Sequence, residues 1–331
     1  MDERELVIVG GGPAGMAAAV EARECGVRDI VLLERGAHLG GILNQCVHAG
    51  FGLAHFREVL TGPEYADRFI QRVYETPGIE VSTRSFVAEL KPGKVLTYLR
   101  PGAVCTVRAK ALIMATGCRE RTREMIQIPG TRPAGVYSAG LAQKMINIEG
   151  LLPGRRVVVI GSGDIGLIMA RRFSLEGATV SAVIEIQRQP TGLKRNIVQC
   201  LDDFGIPLYL GHRVLWIHGK NRVEAVDVAP VDELGREISE ARFTLACDTV
   251  LVSVGLIPEN ELIEMAGVEL DRRTNTPVSS DLNYTSVPGL FVCGNAFKVY
   301  DIVDSVTRDS IVAGRQAVEY LAACNGGERR G

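Results

Sequence analysis

An α/β protein built from two three-layer units, each around a parallel sheet, follows from three observations in the 331-residue sequence. A short apolar strand, a glycine-rich turn, a helix-compatible stretch, a second strand and an acid stand in that order at residues 6–34. The same order recurs at 157–185, with Gly10 and Gly161 placed 151 positions apart. Further apolar runs at 111–114, 249–254 and 290–292 each stop in a small-residue turn, the pattern of a strand buried on both faces.

In the first copy, Leu6-Val7-Ile8-Val9 leads into Gly10-Gly11-Gly12-Pro13-Ala14-Gly15. Met16 to Cys25 suits a helix, and Ile30-Val31-Leu32-Leu33 ends in Glu34. In the second copy, Val157-Val158-Val159-Ile160 leads into Gly161-Ser162-Gly163-Asp164-Ile165-Gly166 and a helix. Val180 to Ile184 then ends in Glu185, and in both copies the acid lies 24 positions after the first glycine. The first glycine permits a tight strand-to-helix turn, the second lets the backbone close on a pyrophosphate, and the third lets the helix pack on the strand. Free N–H groups at the positive helix end face phosphate charge, while the carboxylate accepts hydrogen bonds from ribose hydroxyls. One such loop is weak evidence; two in register point to two Rossmann-like dinucleotide-binding domains.

The bulk properties agree with that reading. The length suits two domains, and 46% hydrophobic with 23% charged residues is ordinary for a globular protein. Thirty-seven glycines point to many tight turns or close backbone–ligand approaches. A net charge of -2 gives no reason to expect a nucleic acid or an anionic membrane surface as partner. No apolar run approaches the ~20 residues of a transmembrane helix, and the acidic start Met1-Asp2-Glu3-Arg4-Glu5 is unlike an export signal. None of the eight cysteines falls in a CxxC pair, which argues against zinc or an iron–sulfur cluster and for reduced thiols in a cytoplasmic protein.

Together with residues 111–117, 249–258 and 289–295, the two loops resemble the two-dinucleotide-binding flavoproteins, the group of thioredoxin reductase and lipoamide dehydrogenase. The resemblance covers nearly the whole chain. It implies an FAD domain made of residues 1–119 and 247–331, with an NAD(P) domain of residues 120–246 inserted into it. The short layout fits better than the lipoamide dehydrogenase branch, since no residues follow 331 for an interface domain. The resemblance assigns FAD to Gly10, Gly12, Pro13, Ala14, Gly15, Glu34, Arg35, Gly41, Ile42, Gln45, Val87, Ala115, Thr116, Gly117, Gly294, Asn295 and Asp304. It assigns NAD(H) to Gly161, Gly163, Asp164, Ile165, Gly166, Glu185, Val254 and Gly255, and it implies no metal. More narrowly, Gly40 to Gly52, Leu60 to Ala66 and Gly117 to Thr122 resemble FAD/NAD subunits that partner a glycerol-3-phosphate dehydrogenase or oxidase. Similar subunits occur in opine and amino-acid dehydrogenase complexes and in hydrogen cyanide synthase. A flavoprotein dehydrogenase partner and a homo- or hetero-oligomer are the expectations that follow.

Several positions qualify the resemblance. The acid that holds the FAD ribitol chain in the broad family is Asn295 here, which still hydrogen-bonds a hydroxyl but without a carboxylate's charge; the alternative is a lost flavin site. No cysteine pair lies near Gly40-Gly41, so local thiol–disulfide exchange is not expected and the flavin alone would carry the redox step. Cys46, beside His48, is either a packed small side chain or a nucleophile near the flavin. His48 and His55 lack a third ligand for a metal. The run Arg119 to Glu124 reads as a solvated linker face, or else as a hinge or partner contact. Asp304 to Ala323 reads as a helix with Asp301 or Asp304 as N-cap. By resemblance its N-terminus faces the flavin ring; otherwise it packs as a surface helix. Glu185 favours NAD over NADP by repelling a 2′-phosphate, against Arg188 three residues on. Three functions remain open: an electron-transfer subunit; a self-contained NADH oxidase or disulfide reductase using Cys46 with a distant thiol such as Cys118; and a redox-sensing scaffold.

Overall fold

The computed structural model describes residues 2–279 and 281–328. Its contacts divide the chain into two compact units, one running up to Arg119 and resuming at Ile257, the other spanning Glu120–Leu256.

In the first unit the apolar runs lie at the centre of the sheet. Its strand order is Ile79–Ser82, Ile30–Leu33, Asp2–Val9, Ala103–Met114, Val95–Arg100 and Phe86–Lys91, with the first four parallel and the last two antiparallel. The 12-residue strand Ala103–Met114 holds two partners. Val95–Arg100 pairs along its first half, and Leu290–Val292 pairs in parallel with its end, residues 112–114. Successive side chains point to opposite faces of a strand. Leu6 and Ile8 therefore enter a core beneath the helices Pro13–Glu24, Gly62–Glu75 and Val303–Glu328, while Val7 and Val9 enter a second core on the other face. The alanine-rich helix Pro13–Glu24 permits a close helix contact: a Cβ on Gly314 would lie 2.7 Å from the Ala18 carbonyl oxygen. Helix Gly62–Glu75 starts at a capping box, Thr61 and Glu64 each satisfying the other's backbone N–H.

The second unit repeats the plan with a different cover. Its parallel sheet runs Val136–Ser138, Thr249–Val252, Arg156–Ile160, Thr179–Glu185 and Leu208–Leu210. Helices Ala139–Asn147, Asp164–Leu175 and Lys194–Cys200 cover one face. The antiparallel meander His212–Gly219, Val223–Pro230 and Phe243–Ala246 supplies Val214, Ile217, Val226 and Val228 to the core on the other.

Two expectations need correction. The return from the second unit falls after Leu256 and not after residue 246, because Thr249–Val252 hydrogen-bonds between Val136–Ser138 and Arg156–Ile160 inside the second sheet. The run Arg119 to Glu124 is a solvated face only in part: Arg121, Thr122 and Glu124 are exposed, and the other three are held by the fold. Arg119 pairs with Glu259 at 2.8 Å and Glu261 at 2.6 Å, and the Glu120 carboxylate accepts the Gly140 N–H at 2.7 Å, at the start of a helix. Arg123 is buried and donates to the carbonyls of Ile128, Pro129 and Thr131.

The meander is pinned by one buried carboxylate. Asp227 accepts from Thr244 Oγ1 at 2.7 Å, from His218 Nε2 at 2.6 Å and from the Arg242 guanidinium, which joins all three strands. Burial alone would raise its pKa, but the bonds from Thr244, Arg242 and His218 outweigh it and hold the carboxyl down at about 2. A carboxylate depressed in the folded state stabilises above its unfolded pKa of about 3.9, and that stability is lost as pH falls toward the folded value. Asp227→Asn is therefore expected to cost about 2 kcal/mol at pH 7. The deficit should shrink below pH about 4, and urea unfolding at several pH values measures both.

Candidate functional site

Each glycine loop is shaped by the strand end beneath it. Gly10 has φ +109°, and a Cβ there would lie 2.2 Å from the Ala115 carbonyl oxygen. Gly161 has φ +96°, and its Cβ would lie 2.0 Å from the Ser253 carbonyl oxygen. Only glycine meets both demands, so the turn can press onto the neighbouring strand. Matching backbone bonds hold both copies in place. Gly10 N–H donates to Leu33 and Gly161 N–H to Ile184, each at 2.8 Å; Ala115 N–H donates to Val9 at 2.8 Å and Ser253 N–H to Ile160 at 2.7 Å. The third glycines, Gly15 and Gly166, pack their helices against Gly10 O and Gly161 O.

The second glycine of each loop behaves differently. A Cβ on Gly12 would meet only Gly41 Cα, at 3.8 Å, and one on Gly163 only Thr191 Oγ1, at 3.9 Å. Both positions open onto space that a side chain would fill. Gly12 and Gly163 are the N-caps of helices Pro13–Glu24 and Asp164–Leu175, and neither helix has a side-chain cap. Open space beside uncapped N–H groups at a positive helix end fits a pyrophosphate. The acids sit against the same loops. Glu34 accepts from Gly11 N at 2.7 Å and Gly36 N at 2.6 Å. Glu185 accepts from Ser162 N at 2.9 Å, Ser162 Oγ at 2.6 Å and Gln187 N at 2.8 Å.

In the first unit the structure brings Gly10, Gly12, Pro13, Ala14, Gly15, Glu34, Gly41, Ala115 and Gly294 around one loop; Gly41 backs Gly12, and a Cβ on Gly294 would lie 2.7 Å from Ala14 Cβ. Thr116 and Gly117 are tied to the returning chain, Thr116 Oγ1 to Glu259 O at 2.7 Å and Gly117 O to Glu259 N at 3.0 Å. Asn295 lies beside this segment, its Nδ2 3.5 Å from Cys118 Sγ and its Oδ1 accepting Tyr300 N–H at 3.1 Å. Arg35 and Ile42 are exposed and Gln45 is half-buried. The Val87 side chain is buried in the core on the other sheet face, so a cofactor would meet its backbone alone. In the second unit Asp164 turns aside, its carboxylate accepting Leu193 N at 2.8 Å and Asn196 Nδ2 at 2.7 Å. Ile165 packs into the core, Val254 lies beside the Gly161 loop, and Gly255 O accepts the Arg121 N–H at 3.0 Å.

The C-terminal helix spans Val303–Glu328, so Asp304 stands inside its first turn and Asp301 is exposed before it. Asp304 spends its carboxylate elsewhere: it accepts from Gly52 N at 3.1 Å, Ala54 N at 3.0 Å and His55 N at 2.7 Å, so the expected N-cap is replaced by a clamp on that loop. One turn on, Thr307 Oγ1 lies 2.6 Å from Tyr65 OH. Cys46 is buried, burial pushes its thiol up to about 12, and its Sγ donates to Ile42 O at 3.3 Å. His55 stacks on Phe69, and burial lowers its pKa. Among the described residues no group of three or more His, Cys, Asp or Glu could hold a metal ion, and no helix is long and apolar enough to cross a membrane.

Thr191 and Gly192 escaped the sequence reading. Gly192 N–H donates to Ser162 O at 2.9 Å, just as Gly40 N–H donates to Gly11 O at 2.8 Å. The signal was present as a glycine six residues after Glu34 and seven after Glu185. Asn260 was also missed: it is fully buried and its Nδ2 donates to both Asn275 O and Ala296 O at 2.7 Å, holding the turn that carries Asn295.

Two loops of this form, each on the parallel part of its sheet, fit the binding of two dinucleotides. The chain belongs to the family described as pyridine nucleotide-disulphide oxidoreductase, whose pattern matches residues 4–317. It is 24% identical over 317 residues to an opine oxidase subunit of Agrobacterium tumefaciens, covering 89% of this chain and 61% of that protein. To the HcnB subunit of hydrogen cyanide synthase from Pseudomonas protegens it is 29% identical over 284 residues, 80% of this chain and 59% of that one. The chain thus spans less than two thirds of the length of these relatives. Thioredoxin reductase of T. acidophilum superposes with a TM-score of 0.77 at 23% identity, covering 96% of this chain and 99% of that chain, a likeness of fold.

A Cβ on Gly12 is compatible with the protein but not with a close pyrophosphate. Gly12→Ala should therefore keep the melting temperature of the flavin-free protein within a few degrees. It should weaken FAD at least about tenfold, and flavin fluorescence on titration measures this.

Proposed function

We propose that this chain is an electron-transfer subunit, relaying electrons between a partner flavoprotein dehydrogenase and NAD or another acceptor. In this reading the first unit holds FAD and the second holds the nicotinamide cofactor. The flavin, when bound, supplies the hydride chemistry. The chain's own residues supply the rest. Gly12 and Gly163 leave room for phosphates at two uncapped helix ends, and Glu34 and Glu185 face the ribose side of each loop.

The observation that carries the proposal is Cys46. A reductase of small disulfides needs an accessible thiolate pair, and Cys46 is buried with its thiol raised to about 12. No disulfide joins any of the eight cysteines, all of them among the described residues, and the Cys118 thiol lies against Asn295. In this reading a chain with two dinucleotide sites and a buried Cys46 passes its electrons on through the flavin. The relatives named as subunits, of opine oxidase and of hydrogen cyanide synthase, support a partnered enzyme. The substrate on the partner's side is a glycerol 3-phosphate, an opine or an amino acid, and the protein works in the cytoplasm as part of a homo- or hetero-oligomer. Glu185 favours NAD over NADP, since it is buried and negative where a 2′-phosphate would lie, while Arg188 is exposed.

The isolated protein should be yellow, reduce artificial dyes with NADH, and fail to oxidise glycerol 3-phosphate or an opine without its partner. Turnover of either substrate by the isolated chain would refute the division of labour. Cys46→Ala should keep NADH-to-dye activity within about twofold, as expected for a packed thiol. In anaerobic mixing, NADH should reduce the flavin at lower concentration than NADPH.

A further inference from the structure

The two loops form an internal comparison, and they differ at one position beside the acid. The second loop residue is Gly11 in the first unit and Ser162 in the second. A carboxylate has about four acceptor sites, two on each oxygen. Glu34 uses one on each: Oε2 takes Gly11 N–H and Oε1 takes Gly36 N–H. One site per oxygen remains, enough for the two neighbouring hydroxyls of a ribose. Glu185 repeats both bonds, Oε2 with Ser162 N–H and Oε1 with Gln187 N–H. The Ser162 hydroxyl then adds a third, at 2.6 Å to Oε2. That oxygen is full, and Glu185 is left with one open site, on Oε1. The acid is also more deeply enclosed, 5% exposed, where Glu34 is half-buried.

The hydroxyl has a second bond that keeps it aimed. Thr191 N–H donates to Ser162 Oγ at 3.0 Å, and Gly192 N–H donates to Ser162 O at 2.9 Å. Two acceptors are within reach of the hydroxyl proton, Glu185 Oε2 at 2.6 Å and Thr191 Oγ1 at 3.4 Å, and the shorter bond to the carboxylate takes it. Ser162 itself is fully buried, so solvent does not compete for that proton.

We infer that Ser162 is a positioning residue that weakens nicotinamide-cofactor binding by occupying an acceptor site on Glu185. The inference rests on the reading of the second unit as the nicotinamide site. It accounts for a division between two loops that share their three glycines and their acid. The glycine version leaves its acid able to take both ribose hydroxyls and suits a resident dinucleotide. The serine version takes one hydroxyl and suits a cofactor that must leave after each turnover.

The test uses the FAD-loaded full chain and redox-inert probes, ADP-ribose and 2′-phospho-ADP-ribose, by isothermal titration. Ser162→Ala frees the Glu185 Oε2 site, and ADP-ribose should bind about tenfold more tightly, the worth of one hydrogen bond to a charged group. The 2′-phosphorylated probe has no 2′-hydroxyl to donate, so its affinity should change less and the preference for ADP-ribose should widen. Loss of a merely structural hydroxyl would weaken both probes or neither. Equal or weaker ADP-ribose binding by a variant with normal flavin absorbance and melting temperature overturns the inference. If Ser162→Ala does not fold, Ser162→Gly, which copies the first loop, carries the same expectation. Wild-type protein that binds neither ADP-ribose nor NADH would instead overturn the reading of the second unit, and the inference with it.

Discussion

Two carbonyl oxygens, those of Ala115 and Ser253, lie where a side chain on Gly10 or Gly161 would have to go. Because neither residue carries a Cβ, each loop drops onto the end of the adjacent strand, and the geometry of both sites descends from that contact. The following helix starts low against the sheet, with Gly15 or Gly166 against the loop. Its uncapped N–H groups then point over the strand ends, and the acid of the next strand comes within reach of the loop's second residue. A larger residue at either first glycine would lift the turn and misalign every later piece. The constraint is steric, which is why it acts identically in two units whose surroundings differ.

Such a constraint is visible in sequence because it is local. The strand, the glycines and the acid of each copy lie close together along the chain, so 6–34 and 157–185 disclosed the fold and the two glycine loops. What could not be read depends on pairing across long separations. Asp304 looked like a cap for its own helix, yet its donors are at 52, 54 and 55. Thr249–Val252 looked like the start of the first unit's second segment, but its hydrophobic run fits either sheet, and only its pairing with Arg156–Ile160 decides. Arg123 sits in a charged run that reads as solvated, and three carbonyls of the following turn bury it. Alternation and composition carry no information about those partners.

The chemistry was legible in its broad form and less so in its tuning. The absence of a cysteine pair near Gly40-Gly41 made local thiol–disulfide exchange unexpected, and burial of Cys46 holds its thiol up. The substitution of Asn295 for an acid reads differently in the structure. Its amide is fixed at both ends, by Tyr300 N–H and by Cys118 Sγ, so it presents one orientation to whatever lies beside it. The fully buried Asn260 supports it from behind through Ala296 O. Amide side chains thus build this corner.

The Asp304 clamp also has a meaning in time. A ribosome releases residues 52–55 long before residue 304, and the whole second unit is made between them. Domains tend to fold as they emerge, the earlier parts first. Here the loop at 52–55 has no carboxylate to hold it, and Ala103–Met114 has no Leu290–Val292 beside it, until residues 290–304 have been made. The first unit is therefore begun before the second and completed after it, its sheet and its 52–55 loop still unfinished while the inserted unit assembles.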